Sequence, residues 1–397
     1  PMHLAVLGVT GSGKSYTTSY LLELLSTIRT ENGIRGIPAI VIDANGDYLD
    51  YYYAFRENKF YSGYSWINRY VFSTSHAAFS DAHSIPIRVD LNLLEPRELS
   101  EMIFDYYKTS TQPELAESLL ERVFSDVISE GTSDINLIFS KDTLFDRIIV
   151  EKIKENKDAH PQTKNAAIRA IRIFRDDMAK AYVIPETMKD STLNYDMIDG
   201  LTEKYELAIV DFSADGATGI PLKMKQFIVA YLSRILYKRF VDYKMGRQPT
   251  SDGYLGTRYA LFIIEEAQYY CPNLSVYPVG SSVARETLSL IATQGRKFGL
   301  GLVLISQRPS FIDPIVMSMV NTYFIHRISP EDVSYIKRIA VGLPSDYLSR
   351  LTNLETGTVI ITGQMLPTPF PIIVRVPKKK IQPSIGTTFV SEYLMRR

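Results

Sequence analysis

The chain has 397 residues, 45% hydrophobic and 22% charged, with 44 Lys plus Arg set against 44 Asp plus Glu. That length allows one large domain or two to three smaller ones, and the neutral charge argues against a broadly basic nucleic-acid surface while leaving room for a small basic site. The single cysteine, Cys271, excludes an internal disulfide and fits a reducing cytoplasm, the five histidines are scattered without metal-cage spacing, and no apolar run reaches eighteen residues, so no transmembrane helix is expected.

The first apolar run, Leu4–Val9, reads as a strand, and a helical pattern over Ser15–Thr30 follows it. Between them lies Gly8-Val-Thr10-Gly11-Ser12-Gly13-Lys14-Ser15, a match to G-x-x-x-x-G-K-[ST] in the strand-to-helix context that the motif needs. Its glycines let successive backbone N–H groups face one anion, and the helix N-terminus adds positive potential. Gly8, Thr10, Gly11, Ser12, Gly13, Lys14, Ser15 and the next residue, Tyr16, are therefore the predicted nucleotide cradle for ATP. Lys14 reaches the outer phosphates and the Ser15 hydroxyl ligates Mg2+.

Pro38–Asp43 is the second strand, ending in Asp43-Ala-Asn-Gly-Asp47. Ligands of open α/β sheets sit at strand carboxyl ends, which makes Asp43 and Asp47 near-site residues; an Asx turn explains the same residues equally well. The stretch 47–70 holds seven tyrosines with Phe55, Phe60 and Trp66, a pattern read as core or subunit interface, with stacking on single strands as the alternative. From about Pro96 to Tyr195 the pattern turns helical, with apolar residues three and four apart in Arg97–Lys108, Pro113–Ser129, Lys141–Glu155 and Lys164–Ala181. In the last of these, Arg169, Arg172 and Arg175 form either a basic stripe for DNA or a solvated face.

Strands resume at Glu206–Phe212, Tyr259–Glu265, Gly299–Ser306, Tyr323–Arg327, Gly357–Thr362 and Pro371–Val376, with helical patterns at Leu222–Lys244 and Val283–Phe298 and a polar loop at Tyr243–Thr257. The alternation predicts an α/β fold with a mostly parallel sheet. The expected division is a P-loop core from 1–95 and 200–376, a helical bundle inserted at 96–199, and a tail at 377–397. Two strand ends carry chemistry. Leu261–Ile264 ends in Glu265 and Glu266; the first is read as a magnesium ligand through water, the second as the base that polarises the attacking water. Gly299–Ser306 ends in Gln307 and Arg308; the amide orients water or detects the terminal phosphate, and Arg308 holds a phosphate or an acidic neighbour.

The phosphate loop, VIDANGDY (41–48), AIVDFS (208–213), FIIEEAQ (262–268) and GRKFGLGLVLISQRPS (295–310) together resemble HerA-type ATPases of the HerA/FtsK superfamily. LETGTVIITGQMLPTPFPIIVRV (354–376) is similar to that family's carboxyl-terminal strands. The resemblance implies a RecA-like core with a helical insertion. It implies a homo-hexamer with ATP at each subunit interface and an arginine acting on the neighbour's nucleotide. Arg296 is the first match for that role, with a helix-terminal cation as the alternative; Arg285, Arg308 and Arg327 follow. It further implies double-stranded DNA translocation together with a NurA-like nuclease in DNA-end processing, or with an effector in anti-phage defence. A nucleotide-gated ring scaffold and a small-molecule kinase are the competing readings. The sequence departs from the family in Glu265, where Asp is usual, in Gln268 for a common His, and in Gln294 for a common acid. HerA-type proteins also carry a β-barrel ahead of the phosphate loop, and seven residues precede Gly8 here.

Overall fold

The computed structural model describes residues 3–31, 33–59, 62–107, 113–131, 134–247, 256–276, 282–340 and 342–381. Most of the expected loop Tyr243–Thr257 and of the tail from Pro377 lies outside these residues.

Twelve strands are present among the described residues: β1 (Leu4–Leu7), β2 (Ile28–Thr30), β3 (Gly33–Arg35), β4 (Ala39–Asp43), β5 (Ile67–Val71), β6 (Ile85–Pro86), β7 (Leu207–Asp211), β8 (Ala260–Ile264), β9 (Leu300–Ser306), β10 (Thr322–Ile325), β11 (Thr358–Gly363) and β12 (Ile372–Arg375). Ten of them form one sheet in the order β12-β11-β10-β1-β9-β8-β4-β7-β5-β6. Every pairing from β6 to β10 is parallel, and β10–β11 and β11–β12 are antiparallel. The fold is the expected α/β class with a mostly parallel sheet. β1, β4, β7 and β9 are buried along their whole length, the signature of parallel strands covered on both faces.

The phosphate-loop helix ends at Leu25 rather than at Thr30, because Ile28–Thr30 pairs antiparallel with Gly33–Arg35 as a small separate hairpin. Strand β5 carries no strong sequence signal, since Ile-Asn-Arg-Tyr-Val breaks the apolar pattern. Its Arg69 is nevertheless fully buried, because Asp211 and Asp215 ion-pair with it at 2.6 and 2.7 Å and Tyr53 accepts from it at 2.9 Å.

Between β6 and β7 all regular structure among the described residues is helical, including Pro96–Tyr107, Pro113–Ser129 and Pro161–Lys180. Phe139, Phe174 and Phe227 stack edge to face at 6.2 and 5.1 Å, carrying the helical packing onto helix Leu222–Met245 beside the sheet. The apolar cluster is continuous from Phe124 and Phe139 through Phe227 to Leu304, so this segment has no core of its own. The tyrosines of 47–70 fall mainly on the interior reading: Tyr48, Tyr51, Tyr52, Tyr64 and Tyr70 are buried, and Trp66 lies against Phe55 and Arg56. Arg172 and Arg175 are paired with Asp146 and Asp142, which favours the solvated-face reading of that helix; Arg169 is exposed. No described helix is long and apolar enough to cross a membrane.

Candidate functional site

β1 lies between β9 and β10 in the sheet, so the loop that leaves it at Gly8 is held from both sides. The Gly8 N–H donates to the Ser306 carbonyl at 3.2 Å and the Val9 N–H to the Arg327 carbonyl at 2.8 Å. A Cβ on Gly8 would come within 2.7 Å of both the His326 Cβ and the Ser12 Oγ, so only glycine fits. Gly13 has φ +109°, in the left-handed region, and opens the helix Lys14–Leu25. The turn before β11 closes the loop's outer side: the Gly357 N–H donates to the Ser12 carbonyl at 3.1 Å and the Thr356 hydroxyl to the Gly11 carbonyl at 3.3 Å.

Lys14 is buried and its ammonium donates to the Val9 carbonyl at 3.1 Å. Burial lowers its pKa, against the attraction of Glu266, Glu265 and Asp47. Beneath the loop, His326 Nε2 meets the Thr17 hydroxyl at 2.9 Å, and burial holds this imidazole down at about 4. Tyr16 turns its hydroxyl to the tail, donating to the Pro377 carbonyl and accepting from the Lys379 N–H.

The two acids after β8 part company. Glu266 has φ +48°, a conformation costly for a side chain with a Cβ. That turn aims the two carboxylates differently. Glu265 is buried and accepts from the Tyr48 hydroxyl at 3.1 Å and the Ala44 N–H at 3.2 Å; burial, then the neighbouring Asp43 and Asp47, push its pKa well up. Glu266 faces the end of β9. One of its oxygens accepts from the Gln307 amide, the other from the Gln268 amide at 2.6 Å. The Gln268 carbonyl accepts from the Ser306 hydroxyl at 2.7 Å, and the Gln307 carbonyl from the Thr10 hydroxyl at 2.5 Å. An unbroken chain of hydrogen bonds thus runs Thr10–Gln307–Glu266–Gln268–Ser306, from the phosphate loop through the acid to the last residue of β9. Gln307 at this strand end joins the loop that would hold phosphate to the carboxylate that would activate water.

Asp43 takes the turn role. It is fully buried, and its carboxylate accepts four backbone N–H groups, those of Asn45, Gly46, Asp47 and Tyr48. Asp47 is half-buried, close enough to attract Lys14. Among the arginines, Arg285 is tied to Asp313 at 2.7 Å and Arg308 to Glu331 at 3.1 Å within the same chain. Arg327 is half-buried and its carbonyl supports Val9. Arg296 is exposed, near His3 at the amino end of β1, the end of the strand opposite the phosphate loop. It is therefore placed away from its own chain's Lys14.

The residue set fits ATP with Mg2+. The loop presents a glycine-built anion cradle and a buried lysine, and Glu265, Glu266 and Asp47 gather near that lysine as oxygen donors of the kind a divalent cation takes. No group of three or more His, Cys, Asp or Glu side chains forms a closed metal cage among the described residues. Sequence reading singled out neither Ser306 nor His326; Ser306 stands next to Gln307 in the motif, and His326 gives no sequence signal.

The profile of the family "Helicase HerA, central domain" matches residues 1–236. The chain belongs to that family. It is 26% identical over 95% of its length to a probable DNA double-strand break repair helicase HerA of Methanocaldococcus jannaschii, and 24% identical over 95% to the DNA double-strand break repair helicase HerA of Sulfurisphaera tokodaii. It spans 71% and 65% of the lengths of those two relatives. Among solved structures, VirB4 of Thermoanaerobacter pseudethanolicus superposes with a TM-score of 0.59 at 14% identity, covering 95% of this chain and 89% of VirB4. The plasmid coupling protein TrwB, in complex with ADP and Mg2+, superposes equally well at 16% identity, covering 97% of this chain and 87% of TrwB. The fold is that of these two proteins, and this HerA-family chain is an ATP-hydrolysing P-loop enzyme.

Proposed function

We propose that this HerA-family chain is the motor of a homo-hexameric ring that translocates double-stranded DNA, working with a partner nuclease of NurA type in DNA-end processing or with a defence effector. The observation that carries the reading is the hydrogen-bonded chain from Thr10 to Ser306, which makes the position of Glu266 depend on the phosphate loop. Lys14 and the loop N–H groups bind the phosphates. Ser15, with Glu265 through water, would hold Mg2+, which would offset phosphate charge there. Glu266 accepts a proton from the attacking water. Gln307, bonded to both Thr10 and Glu266, reports whether the terminal phosphate is present. Arg296 acts on a neighbouring subunit's nucleotide, a role supported by its exposure and by its distance from its own phosphate loop. A change at one interface then shifts one subunit against the next. Six copies of one or two basic residues around a pore supply enough phosphate contacts despite the neutral composition.

The test is ATP turnover by the purified chain with and without linear duplex DNA at fixed low salt. Stimulation of several-fold that is lost in Glu266→Gln supports the motor. Basal hydrolysis indifferent to DNA, with no movement along it, would overturn translocation and favour a nucleotide-gated ring.

A further inference from the structure

On the side of Glu266 and Gln307 away from the phosphate loop lies a cavity of about 400 Å3. Glu266, Gln268, Gln307, Asn45, Lys225 and Arg308 are among its polar lining residues, and no residue of the loop 8–15 takes part. Glu266 and Gln307 therefore stand as a wall between the cradle and this chamber, since Gln307 touches Thr10 on one face and lines the cavity on the other. Arg308 is already paired with Glu331. Lys225 is not paired with any acid: its ammonium donates to the Phe212 carbonyl at 2.7 Å, and among the described residues no carboxylate lies within ion-pair distance. The side chain is half-buried, and burial holds its pKa below the usual lysine value. Beyond that carbonyl it meets the face of the Phe212 ring at 5.7 Å and the attraction of Asp211 from outside ion-pair distance, and a partly desolvated cation so placed gains from an anion in contact with it.

We propose that this chamber is a binding site for inorganic phosphate, with Lys225 as its cation, and that phosphate leaves the active site through it while ADP stays on the loop. The cleaved phosphate forms beside Glu266 and Gln307, and a shift of the Gln307 side chain opens the wall. The inference rests on the hydrolytic reading above, and its test separates the two.

Binding of radiolabelled inorganic phosphate to the full chain loaded with ADP and Mg2+ is measured by equilibrium dialysis. Lys225→Gln keeps a donor for the Phe212 carbonyl and removes the charge. It is expected to weaken phosphate binding at least fivefold, with Lys225→Arg within twofold of wild type and ADP affinity unmoved in both. Leu222→Trp, which narrows the same chamber, is expected to lower phosphate affinity too and serves if the Gln variant does not fold. Phosphate affinity independent of position 225, or falling in step with that for ADP, would overturn the site. ATP turnover of the same preparations reports separately: turnover with Lys225-independent phosphate binding retires the chamber alone. Lys225-dependent binding without turnover retires hydrolysis and leaves the anion site.

Discussion

Gln307 is the residue whose loss speaks most directly to the site. Replacing it with Ala removes the bond from its amide to Glu266 and the bond it accepts from Thr10. A hydrogen bond to a charged group contributes about 1.5–3 kcal/mol and a neutral one about 1 kcal/mol. The side chain is half-buried, so about 2–3 kcal/mol is the reasonable total. If those bonds position Glu266 in the transition state, the loss appears as a fall in kcat of about 30- to 150-fold, at about 1.4 kcal/mol per factor of ten. ATP affinity should stay within about threefold, because Lys14 and the loop N–H groups are untouched. The assay is steady-state ATP turnover beside equilibrium titration of a fluorescent ATP analogue. A kcat within threefold of wild type would refute the positioning argument. So would a loss of turnover traced wholly to lost ATP binding, since that would make Gln307 a part of the cradle.

Three other outcomes follow from named contacts. Arg296→Ala should lack turnover alone and regain part of it when mixed with Lys14→Ala, because a mixed ring contains interfaces with an intact loop facing an intact arginine; mixtures that stay inactive at every ratio would end the trans assignment. Arg69→Met should leave Asp211 buried without its partner and cost about 3–5 kcal/mol in urea unfolding, and a cost under 1 kcal/mol would mean that the ion pair is not what keeps β5 in the sheet. Burial depresses both His3 and His326 to about 4, so between there and the ordinary value of about 6.5 the unfolded chain binds more protons than the folded one. Their contribution is present above pH 6.5 and is lost as pH falls toward 4, by about 3 kcal/mol for each ring. Replacing His326 with Gln, which can still meet Thr17, should flatten that acid limb in thermal unfolding, and an unchanged limb would rule the imidazole out.

The sequence by itself determined the parts whose chemistry is local. A backbone that curls around an anion needs glycines at set spacing, so Gly8 to Ser15 could be read before any coordinate. A strand buried on both faces must be apolar throughout, so Leu300–Ser306 and the acids after Ile264 stood out as strand ends, and the alternation of such runs with helical patterns sufficed for a parallel α/β sheet. Periodicity failed where pairing is between distant residues. The helix after the loop stops at Leu25 because the chain then forms a hairpin, a competition that helical spacing does not register. β5 stayed hidden because Arg69 looks exposed until Asp211, 142 positions away, is placed against it. Asp43 and Glu265 are both acids at neighbouring strand ends, yet Asp43 accepts from four backbone N–H groups of its own turn whereas Glu265 accepts from Tyr48 and Ala44 across the sheet. Only the sheet order, which sets β1 beside β9 and β9 beside β8, brings Thr10, Gln307 and Glu266 within hydrogen-bond reach. Bonds within a turn are written in adjacent residues, whereas a relay across three strands exists only once the sheet has chosen their neighbours.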